Sequence, residues 1–183
     1  MDAAHVLVPL KALDPKSRLA GALSAGERSE LMRGLLERVV GAVQEAGVER
    51  VTVVSAEPID GYEVWLDRGL PWNDAISAAT AEVVRAPIAA VVSADLPFLR
   101  ADEVEELLAA TPERGIAVAR ARDGGTNAVS MRPPGLVRTR FGEPGSAAVH
   151  ASLGIPATIV DLPGLAFDVD TPADLARMQA ACR

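Results

Sequence analysis

Two lysines, one cysteine and 3% aromatic residues are the scarcities of this 183-residue chain, and each removes a class of explanation. The single cysteine, Cys182, has no intrachain partner, so a disulfide framework is excluded. With so few aromatic rings, the core must be built from Ala, Val and Leu. No apolar run approaches the ~18 residues of a membrane-spanning helix. The first residues, Met1-Asp2-Ala3-Ala4-His5, lack the basic start of a secretory signal. A cytoplasmic protein with no membrane partner is the expectation. The formal charge of −7 and a pI near 4.9 argue against nucleic acid as a partner, because affinity for a phosphate backbone comes from clustered Lys and Arg. Also missing are a Cys/His cluster, a Gly-x-Ser-x-Gly elbow and a Gly-Lys-Ser/Thr loop. Zinc sites, serine hydrolases and the Walker A mode of phosphate binding lapse with them.

What remains is an ordinary globular balance, 49% hydrophobic and 23% charged. That suits one domain over residues 1–183. Short β-branched runs alternate with longer helical patterns. Strands are expected at His5–Leu10, Val51–Ser55, Ile88–Ala94, Ile116–Ala121, Ala128–Arg132 and Ala157–Val160. Ser24-Ala25-Gly26-Glu27 is a capping-box signature, and Leu31, Leu35, Val39 and Val43 follow at helical spacing before Gly47. Further helices are expected over Asn73–Arg85, near Glu103–Ala110, from Ser146 to about Leu153, and after Thr171-Pro172-Ala173-Asp174, an N-cap with Pro at the first helical position. This alternation predicts an α/β sandwich around a mostly parallel sheet. Ligands of such sheets bind beyond the carboxyl ends of the strands.

Five features could carry chemistry there. Both lysines fall in the loop after the first strand, Lys11-Ala12-Leu13-Asp14-Pro15-Lys16-Ser17-Arg18, while the chain's other cations are sixteen arginines. Such a loop either grips a polyphosphate or is simply a solvated basic turn. Asp95 ends the most apolar strand, where it could hold a divalent cation or cap the next turn. In Phe167-Asp168-Val169-Asp170, period-two geometry puts the two carboxylates on one side, which is costly unless a cation or solvent separates them. Gly124-Gly125-Thr126-Asn127 and Pro144-Gly145-Ser146 could each present N–H groups to an anion or form plain turns. His150, one helical turn after Ser146, could face the same anion, whereas His5 reads as a core histidine.

Together these segments resemble the guanylyltransferases of coenzyme F420 biosynthesis, the 2-phospho-L-lactate or phosphoenolpyruvate guanylyltransferase family. The resemblance rests on Val8-Pro9-Leu10-Lys11 with Lys16-Ser17-Arg18-Leu19-Ala20, on Trp72-Asn73-Asp74-Ala75-Ile76 and on Ala94-Asp95-Leu96-Pro97. It continues through Gly125-Thr126-Asn127-Ala128, Arg140-Phe141-Gly142 with Pro144-Gly145-Ser146, and Asp168-Val169-Asp170-Thr171-Pro172. It implies a Rossmann-like, glycosyltransferase-A-like nucleotidyltransferase fold with a mostly parallel mixed sheet. It also implies transfer of GMP from GTP to a small phosphorylated acid, with pyrophosphate released. By the same resemblance Asp95, Asp168 and Asp170 would hold Mg²⁺, while Lys11, Thr126, Gly142 and Ser146 would bind the acceptor. Lys16 and Arg18 would meet the GTP phosphates, with Asn73 near the nucleotide. Asp95, Lys11, Lys16 and Arg18 would carry catalysis. Phosphoenolpyruvate, 2-phospho-L-lactate and 3-phosphoglycerate are the candidate acceptors, and a homodimer is the candidate assembly. Glu143 stands as an insertion in the Phe-Gly-Pro-Gly-Ser loop, and Val149 replaces an expected Arg. Two rival readings are another small nucleotidyltransferase, such as a molybdopterin guanylyltransferase, and a non-catalytic GTP-binding sensor. The first would normally show a Gly-rich first loop, and this loop has no glycine before Gly21.

Overall fold

The computed structural model describes residues 4–11, 16–83 and 86–181. Arg85, Cys182 and the middle of the first basic loop, Ala12 to Pro15, lie outside the described residues. The described chain runs β1 (Ala4–Pro9), a 3-10 turn (Ser17–Leu19), α1 (Ala25–Glu45), β2 (Arg50–Ser55), β3 (Val64–Leu66), α2 (Trp72–Glu82) and β4 (Ile88–Val92). It continues with α3 (Ala101–Ala109), β5 (Gly115–Arg120), β6 (Thr126–Arg132), α4 (Ser146–Ala151), β7 (Ala157–Val160), α5 (Pro163–Ala166) and α6 (Pro172–Ala181).

The strands form one seven-stranded sheet in the order β3-β2-β1-β4-β6-β5-β7. All neighbours are parallel except β6, which runs antiparallel to both β4 and β5. The expected mostly parallel mixed sheet is therefore present. That one reversal places the site. Val92 at the end of β4 pairs with Ala128 near the start of β6, so Thr126 and Asn127 lie at the edge where β1, β2 and β4 end. The Ser93 N–H donates to the Asn127 carbonyl at 2.8 Å and ties the two segments together.

Both faces of the sheet are covered, which is why β4, Ile88-Ala89-Ala90-Val91-Val92, is apolar throughout and wholly buried. On one face Val6, Val8, Val53, Ala90 and Val92 pack with Leu35, Leu36, Val39 and Val43 of α1 and with Val104 and Leu107 of α3. On the other, Leu7, Val54, Val91, Val129 and Met131 meet Ala75, Ile76 and Ala79 of α2. Burying each Val, Leu or Ile side chain contributes about 1.5–3 kcal/mol before chain entropy is counted. Small Ala faces do the work that aromatics would do in a larger-ringed core. The helix starts also follow the sequence. The Ser24 Oγ accepts from the Glu27 N–H, and the Glu27 carboxylate accepts from the Ser24 N–H at 2.8 Å, a reciprocal capping box. Gly47, at φ +76, stops α1.

Two elements were not anticipated. β3 is a three-residue edge strand, and α5 is a single turn of four residues, Pro-Gly-Leu-Ala. Neither is long enough to show a period. Thr126 and Asn127, read as part of a Gly-rich loop, belong to β6.

Candidate active site

A cleft of about 630 Å³ opens at this strand edge, lined among others by Lys11, Lys16, Arg18, Trp72, Asp95, Thr126, Gly142, Asp168 and Asp170. Two separate stretches of sequence supply its three clustered carboxylates. Asp95 follows β4. Asp168 and Asp170 come from the extended link between α5 and α6, where Phe167 and Val169 point into the core and the aspartates alternate outward. The link is docked by the Val169 N–H, which donates to the Asp95 carbonyl at 3.2 Å. One oxygen of each carboxylate lies within 4.8 Å of the others.

Such crowding of like charge leaves marks. Burial, then the neighbouring Asp95 charge, raises the Asp168 carboxyl above the ordinary carboxylate range, with Asp170 adding to the effect and a hydrogen bond from Asn127 opposing it. The Asn127 amide donates to Asp168 Oδ1 at 3.3 Å and to the Leu165 carbonyl at 2.9 Å. The Asp95 Oδ1 atom is buried with no hydrogen-bond partner among the described residues. An all-oxygen donor set with an unsatisfied buried oxygen is the chemistry a hard divalent cation requires. The Asp170 carboxylate does not cap the last helix. Thr171 and Asp174 form that cap, with the Thr171 N–H donating to Asp174 Oδ2 at 2.9 Å. Burial raises the Asp174 carboxyl, but hydrogen bonds from Thr171, Arg122 and the Asp170 backbone together outweigh it and hold the carboxyl down to about 2.

Lys16 takes a place that its sequence position did not disclose. Its side chain is only 9% exposed, and its ammonium donates to Asp95 and, at 2.6 Å, to Asp170 Oδ1. Burial disfavours the charged ammonium, but the two carboxylates outweigh it and raise the Lys16 pKa. The backbone of Lys16 sits in the left-handed region at φ 55, an uncommon conformation for a residue with a side chain. Arg18 remains open to solvent, with Nη1 3.3 Å from Asp170 Oδ2. Lys11 is exposed at the end of β1, between the cleft and a neighbouring cavity of about 310 Å³.

The opposite wall is held from behind by neutral, mostly buried side chains. The N–H groups of Thr139, Arg140 and Phe141 are each captured by a side chain: Ser77 Oγ at 3.1 Å, His150 Nε2 at 3.0 Å and Asn73 Oδ1 at 2.8 Å. Asn73 also donates to the Phe141 carbonyl at 3.0 Å. Its amide is thus committed to the Phe141–Gly142 loop rather than to the open cleft. Ser146 is fully buried, and its hydroxyl donates to Thr126 Oγ1 at 2.9 Å instead of facing the cleft. His150 is also fully buried and turned away from solvent. Thr126 and Gly142 do line the cleft. Gly142 has φ +77, so the loop bends there in a way a side chain would resist. His5, expected in the core, is half-buried against the Thr52 hydroxyl at 2.8 Å. Asn127 and the loop-holding role of His150 escaped the sequence reading. The shared spacing of Ala147 and His150 on α4, both buried, was the available signal for the second.

Solved structures of similar shape define the class. A nucleotidyl transferase from Methanothermobacter matches with TM-score 0.67 at 12% identity, over 99% of this chain and 98% of its own. The 2-C-methyl-D-erythritol 4-phosphate cytidylyltransferase of Thermus thermophilus matches with TM-score 0.64 at 20% identity over the whole of both chains. At such identities the likeness establishes a nucleotidyltransferase fold. Sequence comparison goes further. Residues 4–180 match the family model described as "Guanylyl transferase CofC like". The phosphoenolpyruvate guanylyltransferase of Sphaerobacter thermophilus is 40% identical over 94% of this chain and 90% of its own. The 2-phospho-L-lactate guanylyltransferase of Natronomonas pharaonis is 37% identical over 94% and 83%. The chain belongs to the CofC-like guanylyltransferase family and is a nucleotidyltransferase enzyme. No helix among the described residues is long and apolar enough to cross a membrane.

Proposed function

We propose that this enzyme transfers GMP from GTP to phosphoenolpyruvate, releasing pyrophosphate, as a cytoplasmic step in making coenzyme F420. The observation that carries the reading is the meeting of three carboxylates and three cations from distant parts of the chain in one cleft. In the reaction an oxygen of the acceptor phosphate forms a bond to the α-phosphorus of GTP, and the bond from that phosphorus to the bridging oxygen of pyrophosphate breaks. Both reactants are anions, so positioning and charge neutralisation dominate, and no covalent enzyme intermediate is required. Asp95, Asp168 and Asp170 would hold Mg²⁺, which supplies Lewis-acid stabilisation of phosphate charge.

The chain's own groups divide the remaining work. Lys16 and Arg18 lie beside the carboxylates and neutralise the triphosphate, Arg18 with a fork suited to two oxygens. Lys11 from the end of β1, and Thr126 and the Gly142 turn from the other wall, face the acceptor's phosphate and carboxylate. The buried loop bonds of Asn73 and Ser77 keep that wall fixed while the substrates are held. Because the relatives include 2-phospho-L-lactate guanylyltransferases at similar identity, 2-phospho-L-lactate is the second reading. The test is pyrophosphate release from GTP with Mg²⁺ and, in turn, phosphoenolpyruvate, 2-phospho-L-lactate and 3-phosphoglycerate. Fastest release with phosphoenolpyruvate supports the proposal. Fastest release with 2-phospho-L-lactate replaces it by the second reading. GTP binding without release for any of the three would make the protein a sensor.

A further inference from the structure

The Thr126 hydroxyl is surrounded in a way that fixes its proton. The Arg140 backbone N–H donates to His150 Nε2 at 3.0 Å. A ring nitrogen that accepts a proton cannot carry one, so the neutral His150 ring bears its hydrogen on Nδ1. That nitrogen lies 3.1 Å from Thr126 Oγ1 and also faces the Ser146 backbone carbonyl, so its one proton is shared between them, in a fully buried ring that burial keeps neutral. From another side the Ser146 hydroxyl also donates to Thr126 Oγ1, at 2.9 Å. Both neighbours therefore bring protons. A hydroxyl has two acceptor positions and one donor, so Thr126, with both acceptor positions filled, has its own proton left to donate. Thr126 lines the cleft.

We propose that His150 is a positioning residue that, together with Ser146, forces the Thr126 hydroxyl to act as a hydrogen-bond donor toward the acceptor anion. The assignment rests on the reading that the phosphorylated acid sits against Thr126. It gives Ser146 a different task from direct ligand contact: its hydroxyl acts through Thr126. It also gives His150 a task with no titration and no contact with substrate. The arrangement selects an anion over a group that must itself donate, because a donor presented at this point would meet the Thr126 proton head-on.

Two substitutions separate the ring's two nitrogens. In His150→Asn the amide nitrogen replaces Nδ1 and preserves donation to Thr126. In His150→Gln the amide oxygen replaces Nε2 and preserves the Arg140 bond, but donation to Thr126 is lost. Thr126→Val should raise KM for phosphoenolpyruvate about tenfold, the cost of one hydrogen bond to a charged group, with KM for GTP unchanged. His150→Gln should raise it severalfold and Thr126→Val/His150→Gln should match Thr126→Val alone, as expected when two residues act through one contact, whereas His150→Asn, which bares the Arg140 N–H and loosens its loop, should add its effect to that of Thr126→Val. In the wild type, ¹⁵N NMR should show His150 protonated at Nδ1, a readout that survives if a variant fails to fold. An Nε2-protonated ring, or additive effects of Thr126→Val and His150→Gln, would overturn the proposal while leaving the acceptor reading intact. A Thr126→Val enzyme with unchanged KM for phosphoenolpyruvate would overturn both. Absence of pyrophosphate release in the wild type would sink the functional reading but not the ring assignment.

Discussion

The two walls of the cleft are stabilised by opposite means. On one, Asp95, Asp168 and Asp170 crowd together with Lys16 set between two of them, and one buried carboxylate oxygen has no partner among the described residues. On the other, three consecutive backbone N–H groups and a buried Ser–Thr–His cluster are satisfied by neutral groups at ordinary distances. A wall built from unbalanced charge is one whose energy changes most when charged ligands arrive. A neutral wall with its hydrogen bonds complete changes little, and holds its shape. The comparison teaches a division of labour: the charged wall supplies the chemistry, and the neutral wall supplies the geometry against which the acceptor is oriented.

The division can be broken most forcefully at the carboxylates. Asp95→Asn, Asp168→Asn and Asp170→Asn should each lower kcat by on the order of 10²-fold or more while circular dichroism stays that of the folded protein. Near-wild-type rates in saturating Mg²⁺ for any two of them would remove the metal assignment. Lys16→Ala comes next. It removes a nearly buried ammonium and should raise the KM for GTP by roughly tenfold or more, with a smaller change for the acceptor. On the neutral wall, Asn73→Ala frees the Phe141–Gly142 loop, so the acceptor KM should rise severalfold and the GTP KM should hold. Equal effects on both substrates would blur the two walls into one. Arg18→Ala should do least among the cations in the metal-free protein, because its pair with Asp170 is exposed and worth about 0–1 kcal/mol.

The charged wall should also cost stability when empty, and the sign can be worked out. A carboxyl whose folded pKa is raised above the unfolded value of 3.8 penalises the fold once the pH passes 3.8, and the full penalty is reached above the folded pKa. Asp168→Asn removes that penalty and can keep the Asn127 bond. With chelator present at pH 7, its melting temperature should rise, and the gain should vanish below about pH 4. A fall in melting temperature at pH 7 would show that Asp168 is structural. Asp174 is the opposite case. Its carboxyl is held down to about 2, so its contribution is present above pH 3.8 and lost as pH falls toward 2. An Asp174→Asn variant should therefore be less stable than wild type at pH 7 and equal to it near pH 2.

Much of the charged wall was legible in the sequence because its signals are local. The alternation Phe167-Asp168-Val169-Asp170 needs only an extended backbone to put both carboxylates on one side, and Asp95 follows an uninterrupted apolar strand whose end is fixed by burial on both faces. The scarcity of lysine made Lys11 and Lys16 stand out. What the loop could not reveal was that Lys16 turns back onto Asp95 and Asp170, since that depends on a left-handed backbone at Lys16 itself. The neutral wall was less legible for a related reason. Whether Ser146 faces an anion or a neighbouring strand depends on how the loop from Arg140 to Gly145 docks on β6, and no period in six helical residues encodes that. The resemblance places Asn73 near the nucleotide. Its pairing with the Phe141 backbone, 68 residues away, belongs to the tertiary fold.

The most direct test of the account is product analysis by ³¹P NMR of GTP, phosphoenolpyruvate and Mg²⁺ with the wild-type enzyme and with Asp168→Asn. The wild type should consume GTP and phosphoenolpyruvate in equal amounts and yield one pyrophosphate for each new phosphoanhydride formed, with Asp168→Asn nearly silent. Pyrophosphate formed without loss of phosphoenolpyruvate, or equal turnover by the variant, would contradict it.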